Sequence, residues 1–274
     1  MGEFSSKGNG LITKYINENY LPAKNFSSYV YLSQLTQAEA LKTAIEAQRR
    51  SKPFCMGSLY WQMNDCWPAA SWSTIDYYGK WKAAQYFVKK AFAPVLLTIT
   101  SKDKLEITIM NDSTNNLIGT LTLSLQTFLG KEIYRTDGTD TLKIGKNTRG
   151  TDKALWDEIS NDQPAVLSVK FISNGKVICS NTFYPLAMKY EKLPTPIITS
   201  EFIKDNNKIT LKLKTNVLAK NVFVHIDGAE MLNDISDNYF DLLPGEEKTL
   251  YFSSEKSVEE LKKALTIKTV RDTY

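Results

Sequence analysis

The sequence predicts a chain of mixed class: an α/β segment over residues 5–94, followed by two all-β sandwiches at 95–185 and 197–274. Three observations carry this reading. Apolar residues recur at steps of three or four over 31–50 and again over 79–92, and the two stretches bracket a short apolar run at 57–62. After Pro94 the apolar period switches from the helical value to two, the period of a half-buried strand. Pro185, Pro194 and Pro196 then punctuate 186–196, which reads as a linker between two alternating regions.

Taken in order, Met1-Gly2-Glu3-Phe4 resembles a cloning scar, and residues 5–30 read as polar and irregular, with an apolar patch at Leu11, Ile12, Tyr15 and Ile16. Leu32, Leu35, Ala38, Leu41 and Ile45 form one helical stripe that Arg49-Arg50 end favourably, because cations suit the negative end of a helix. Ser51-Lys52-Pro53 stops it. Leu59-Tyr60-Trp61 reads as a short buried strand that ends before Pro68, which has no N–H for a ladder. Trp81, Ala84, Val88 and Ala91 then mark one face of a second helix, closed by Pro94. Strand, loop and helix together make one βα unit, whose loop lines the active site in (β/α) enzymes.

In the first sandwich Leu105-Ile107-Ile109 and Leu121-Leu123-Leu125 alternate with polar residues, and Asn111 to Asn116 turn the chain between them. Further strands fit 131–135, 140–144, 165–173 and 176–183, with Asn174-Gly175 as a hairpin turn. Size and strand spacing are immunoglobulin-like, without the paired cysteines of an antibody domain. The second sandwich follows from Ile209-Leu211-Leu213, Val222-Val224-Ile226, Leu250-Phe252 and Leu265-Ile267, with turns at Asp227-Gly228 and Pro244-Gly245. Ser257 with Glu260 is a capping-box pattern that starts a short helix.

Composition excludes several classes. Net charge is +4, but lysines are scattered among acidic residues, so the basic stripe of a nucleic-acid binder is missing. No apolar run approaches the ~18–20 residues of a membrane span. Cys55, Cys66 and Cys179 form no Cys-x-x-Cys pair and the single histidine, His225, is distant, so no zinc site is expected. The three thiols read as buried and free, the alternative being a Cys55–Cys66 bridge that would tie the strand's start to its own exit loop.

Four of the five tryptophans fall between Trp61 and Trp81, the fifth being Trp156 in the first sandwich. Aromatic rings beside Gln62, Asn64 and Asp65 suit sugars, which offer a C–H face to a ring and a rim of hydroxyls to paired donors and acceptors. Trp67, Trp72 and Trp81 read as packing before ligand contact, whereas Trp61, at the strand's end, weighs evenly between the two. Asp76 caps the following helix or fixes its own loop, and Asp65 bonds a sugar hydroxyl or a neighbouring loop.

The run Tyr60-Trp61-Gln62-Met63-Asn64-Asp65-Cys66-Trp67-Pro68, with Ser71-Trp72-Ser73, Ile75-Asp76-Tyr77-Tyr78-Gly79 and Trp81-Lys82-Ala83, resembles the β-mannosidases of glycoside hydrolase family 2. The likeness extends to Gly8-Asn9-Gly10-Leu11-Ile12, Tyr31-Leu32-Ser33-Gln34 and Asp237 through Glu246, with the 57–83 block by far the most specific. The resemblance implies the C-terminal remnant of a (β/α)8 catalytic barrel, its eighth strand at 57–62, followed by two immunoglobulin-like sandwiches. It also implies a parent that hydrolyses mannose-containing oligosaccharides with retention, using two glutamates and no cofactor or metal. Both glutamates belong before the tryptophan-rich strand. Glu3-Phe4 lies in the scar-like start, and Ser200-Glu201-Phe202 falls after the barrel, so neither fits the nucleophile. The expectation is therefore a substrate-binding set of Trp61, Asn64 and Asp65 with no catalytic residue, and self-association through the exposed barrel remnant. The alternative is a non-catalytic carbohydrate-binding or structural module, with Tyr239, Phe240, Tyr251 and Phe252 as candidate surface aromatics. The compartment is left open.

Overall fold

The computed structural model describes residues 8–101, 104–151, 159, 164–227 and 235–274. The scar-like residues 1–4, Trp156 and the Gly228 half of one expected turn lie outside them. By backbone contacts the chain forms two compact units, one of Leu41–Leu59 with Val88–Leu186, the other of residues up to Ala40 with Tyr60–Phe87 and Ala187–Tyr274.

The Leu41–Leu59 and Val88–Leu186 unit holds the first sandwich. Strands β1 (Val95–Ser101), β2 (Leu105–Asn111) and β5 (Asn147–Thr151) form one antiparallel sheet in the order β1-β2-β5. Strands β3 (Leu117–Thr127), β4 (Glu132–Leu142), β6 (Ala165–Ser173) and β7 (Lys176–Phe183) form the other, in the order β4-β3-β6-β7. Alternation places Leu97, Ile107 and Ile109 of one sheet in the same core as Leu123, Leu125, Leu167 and Phe171 of the other. Each such side chain contributes roughly 1.5–3 kcal/mol by leaving water. Asn174 and Gly175, at φ 49° and 72°, make the β6–β7 hairpin turn with both central residues left-handed, the twist that matches the flanking strands. Where two strands were expected at 131–135 and 140–144, β4 is continuous, because it pairs with β3 from Glu132 to Leu142 with a single bulge at Ile133.

Arg49 ties the helical part of this unit to its sandwich. It ends helix α2 (Phe26–Arg50), and its guanidinium donates to the Ala91 and Ala93 carbonyls at 2.6 and 2.7 Å and to Asp112 at 2.9 Å. Lys52 joins the same carboxylate at 2.6 Å. The two cations outweigh partial burial and hold the Asp112 carboxyl below its ordinary range.

The other unit contains the second sandwich. Strands β8 (Ile198–Asp205), β9 (Lys208–Thr215) and β12 (Glu247–Ser253) form a sheet in the order β12-β9-β8. Strands β10 (Ala219–Ile226), β11 (Phe240–Leu242) and β13 (Leu265–Lys268) form another, in the order β11-β10-β13. Leu211, Leu213, Val222, Val224 and Leu250 are fully buried, as the alternation predicts. Ser257 and Glu260 form the expected capping box of helix α4 (Val258–Ala264). Helix α1 (Gly8–Asn19) occupies part of the stretch expected to be irregular; its Asn and Gly content masked a pattern that buries Ile16.

Two further expectations are corrected. The run 57–62 forms no strand, and Leu59 is 101 % exposed. A strand needs a neighbour for its backbone groups, and no described strand of this chain lies beside it. The three cysteines are free, but none is buried: Cys66 is exposed, and Cys55 and Cys179 are half-buried. No described helix is long and apolar enough to cross a membrane.

Candidate functional site

The tryptophan-rich stretch folds back on itself as a knot of backbone and side-chain hydrogen bonds. Asn64 bridges Ile75 in parallel, and Ile75 bridges Trp81 antiparallel. Ile75 N–H donates to the Met63 carbonyl at 2.8 Å and Asp65 N–H to the Ile75 carbonyl at 3.1 Å. These contacts bring Gln62–Asp65 beside Thr74–Lys82, so the residues named from sequence share a frame with residues up to seventeen positions later.

Trp61 leads into this frame, joined to Gln62 by a cis peptide bond, and its side chain is 75 % exposed. Trp67 and Trp72 are also exposed, contrary to the packing role expected of them, whereas Trp81 packs edge-on against Tyr86 at 5.2 Å. The polar end of Trp72 is anchored: its indole N–H donates to Gln62 Oε1 at 3.1 Å, and its carbonyl accepts from Gln37 Nε2 at 2.5 Å. Fixed polar ends with exposed rings are what a stacking surface for an amphipathic ligand requires.

Asn64 is exposed, and its Nδ2 donates to the Asp65 carbonyl at 3.3 Å while its own carbonyl accepts from Gln62 Nε2 at 2.7 Å. Asp65 is occupied within the loop. Its carboxylate accepts from Ser71 Oγ and Ser73 Oγ, each at 2.5 Å, and pairs with Lys82 Nζ at 3.3 Å. Its side chain is 8 % exposed and that of Lys82 15 %. Burial alone would raise the Asp65 pKa; the two hydroxyls and the ammonium override it and hold the carboxyl below its ordinary value. Asp76 fixes its own loop, accepting at Oδ1 from the Tyr78 and Lys80 N–H groups, before helix α3 (Ala83–Ala91) begins.

Sequence reasoning assigned no role to Ser71, Ser73, Lys82 or Gln37. Their signal was present only as short polar residues interleaved with tryptophans, which does not say which carboxylate they serve. Among the described residues no group of three or more His, Cys, Asp or Glu side chains is arranged to hold a metal ion. His225 lies on β10, 2.8 Å from Asp227 and stacked on Phe223. Glu201, on β8, is exposed and stands opposite Lys212. Of the aromatics proposed to line a sandwich face, Tyr239, Phe240 and Phe252 are buried, and Tyr251 is 58 % exposed.

Comparison with known proteins places the chain in a family. The mannosidase Ig/CBM-like domain family matches residues 103–190, and the mannosidase Ig-fold domain family matches residues 193–273. A β-mannosidase of Capra hircus is 30 % identical over 270 residues, covering 92 % of this chain and 30 % of its own length. β-Mannosidase B of Aspergillus oryzae is 27 % identical, covering 93 % of this chain and 33 % of its own length. The crystal structure of a β-D-mannosidase from Dictyoglomus thermophilum superposes with a TM-score of 0.86 at 26 % identity, over 97 % of this chain and 32 % of that one. An exo-chitosanase of Amycolatopsis orientalis shares the fold at 18 % identity and a TM-score of 0.74, over 95 % of this chain and 36 % of that one. The chain thus spans about a third of the length of the relatives it matches.

Proposed function

The chain belongs to the β-mannosidases of glycoside hydrolase family 2, and on that premise we propose that it is the C-terminal portion of a retaining exo-β-mannosidase. In this reading residues 5–94 complete a (β/α)8 barrel, 95–185 and 197–274 are the two following sandwiches, and 186–196 links them. The enzyme removes terminal β-linked mannose from oligosaccharides. Its two carboxylates, held about 5–5.5 Å apart for retention, come from chain beyond these residues, and the 274-residue chain alone does not turn over substrate.

The observation that carries this reading is the exposed Trp61 ring beside a loop whose polar groups are fixed. Trp61 forms a wall of the subsite, lying against the C–H face of the sugar being released. Asn64 stands at the rim, where its exposed amide reaches a hydroxyl. Asp65 acts from behind: bonded to Ser71, Ser73 and Lys82, it holds the loop in shape. Stacking and a fixed polar rim orient the sugar before the carboxylates act, so the loop contributes through positioning. No cofactor or metal enters this chemistry. The 57–62 run, which has no partner strand among the described residues, also favours self-association of the chain when it is isolated. The alternative of a sugar-binding sandwich needs a row of exposed aromatics, and burial of Tyr239, Phe240 and Phe252 weighs against it.

The test is kinetic. In the longer enzyme, Trp61→Ala is expected to lower kcat/KM for an aryl β-mannoside more than tenfold, about 1.4 kcal/mol or more. The 274-residue chain is expected to show no turnover. Turnover by it that vanishes in Glu201→Ala would overturn the assignment.

A further inference from the structure

One side-chain oxygen links the second sandwich to the start of α3, directly after the tryptophan loop. Gln34 Oε1, on α2, accepts from the Ala83 backbone N–H at 3.1 Å and from the Tyr239 hydroxyl at 3.2 Å. Ala83 is the first residue of α3, where backbone N–H groups have no partner within the helix. The side chain just before a helix ordinarily accepts from the second or third N–H rather than from this first one. Here Lys82 precedes it, and an ammonium has no lone pair to offer. Gln34 supplies the missing acceptor from another helix.

The start of α3 is also what grips the loop. Lys82 holds Asp65 and Ser73, and Gln85, in the first turn, accepts from Thr74 Oγ1 at 2.6 Å and from the Tyr60 hydroxyl at 3.3 Å. Tyr60 is the immediate neighbour of Trp61. The orientation of this one helical turn therefore sets the frame from which Trp61 projects.

Tyr239 is held firmly enough to serve as the outer anchor. It is buried, and its ring lies 4.9 Å from Phe223, 5.9 Å from Tyr31 and 6.0 Å from Tyr86. Its φ of 53° is one a bulky residue adopts only when its surroundings impose it.

We infer that Gln34 and Tyr239 are positioning residues for the sugar-binding loop, and that the C-terminal sandwich orients Trp61 through the sequence Tyr239, Gln34, Ala83. The effect on catalysis rests on the reading of Trp61 as a wall of the sugar subsite; the mechanical link does not.

The experiment compares Gln34→Leu, Gln34→Glu and Tyr239→Phe. In the 274-residue chain, amide exchange at Ala83 is expected to speed up about tenfold in Gln34→Leu and severalfold in Tyr239→Phe. Gln34→Glu, which keeps an acceptor at a helix N-terminus, is expected to remain near wild type. In the longer enzyme, kcat/KM is expected to fall about tenfold in Gln34→Leu and to stay within about threefold of wild type in Gln34→Glu. A role in packing alone predicts the reverse order, since leucine fills the space without needing a donor. Unchanged exchange at Ala83 in Gln34→Leu, or equal impairment by leucine and glutamate, overturns the inference. An enzyme insensitive to Trp61→Ala overturns the functional reading instead, and Ala83 exchange still decides this one.

Discussion

The Lys82 ammonium stands 3.3 Å from the Asp65 carboxylate and 2.7 Å from Ser73 Oγ, while Ser73 itself donates to Asp65 at 2.5 Å. Cation, hydroxyl and carboxylate close a triangle across the loop that carries Trp67 and Trp72. An ionised carboxylate with three donors is a strong local clamp, because hydrogen bonds to charged groups exceed neutral ones.

That clamp gives the loop a pH dependence. The folded-state pKa of Asp65 is depressed, so its contribution to stability is fully present above the unfolded value of about 3.9. It is lost as pH falls through the lower folded value. Amide exchange at Ser73 and Ile75 is expected to accelerate progressively below about pH 4. Asp65→Asn should exchange faster at neutral pH and lose that dependence. A pH response of these amides that is identical in the variant would sink the argument.

Trp61 and Trp81 should separate function from stability. Because Trp61 projects into solvent, Trp61→Ala is expected to shift the urea-unfolding free energy of this chain by no more than about 0.5 kcal/mol. Trp81, half-buried against Tyr86, should cost about 2 kcal/mol when truncated, below the range for a fully enclosed tryptophan. Equal losses from both would mean that Trp61 acts through folding.

How much of this was legible beforehand depended on the range of the interaction concerned. The hairpin at Asn174-Gly175 and the capping box at Ser257 and Glu260 are local, and a few residues sufficed to place them. The alternation of Leu211, Leu213, Val222 and Val224 found the core of the second sandwich, since period two needs no knowledge of the partner sheet. The candidate site was legible as a composition, tryptophans beside amides, but not as a geometry. Asp65 was named without its partners, because Ser71 and Lys82 reach it only through the fold of the loop. Gln34 and Tyr239, 205 positions apart, both fall in stretches that resemble the family, but nothing in the sequence pairs them.

Arg49 should be among the costliest substitutions in its unit. Its side chain is 9 % exposed, and Arg49→Ala would strip donors from the Ala91 and Ala93 carbonyls while leaving Asp112 to Lys52 alone. A loss on the order of 3 kcal/mol is expected in urea unfolding. Arg49→Lys should recover only part of it, because one ammonium cannot reproduce the guanidinium fork. Full recovery by lysine would show that charge alone matters there.

Gly119 offers a purely steric test. A Cβ at this position of β3 would lie 2.2 Å from the Ile172 carbonyl oxygen and 2.8 Å from Phe171 Cζ, so backbone must move. Gly119→Ala is expected to cost about 1–3 kcal/mol. Gly138→Ala on the neighbouring strand β4, where nothing lies within 4 Å, should cost nothing measurable. Similar effects at the two glycines would refute the close approach.

The last prediction concerns the run 57–62, which was expected to be a barrel strand and forms none. Its sequence, Leu59-Tyr60-Trp61 after two small residues, has the β-propensity of a strand, yet Leu59 and Trp61 lie open to solvent. Propensity without a pairing neighbour leaves backbone groups to water, and a second strand is the cheapest way to satisfy them. Two states follow. In dilute, monomeric chain the amides of Leu59 and Tyr60 should exchange at rates close to those of an unstructured peptide. At high concentration a second copy can supply the missing edge, and the same amides should slow in step with the dimer fraction seen by light scattering. Slow exchange at Leu59 in a chain shown to be monomeric would require a partner strand within these 274 residues, and with it the proposal that 57–62 belongs to an incomplete barrel would fail.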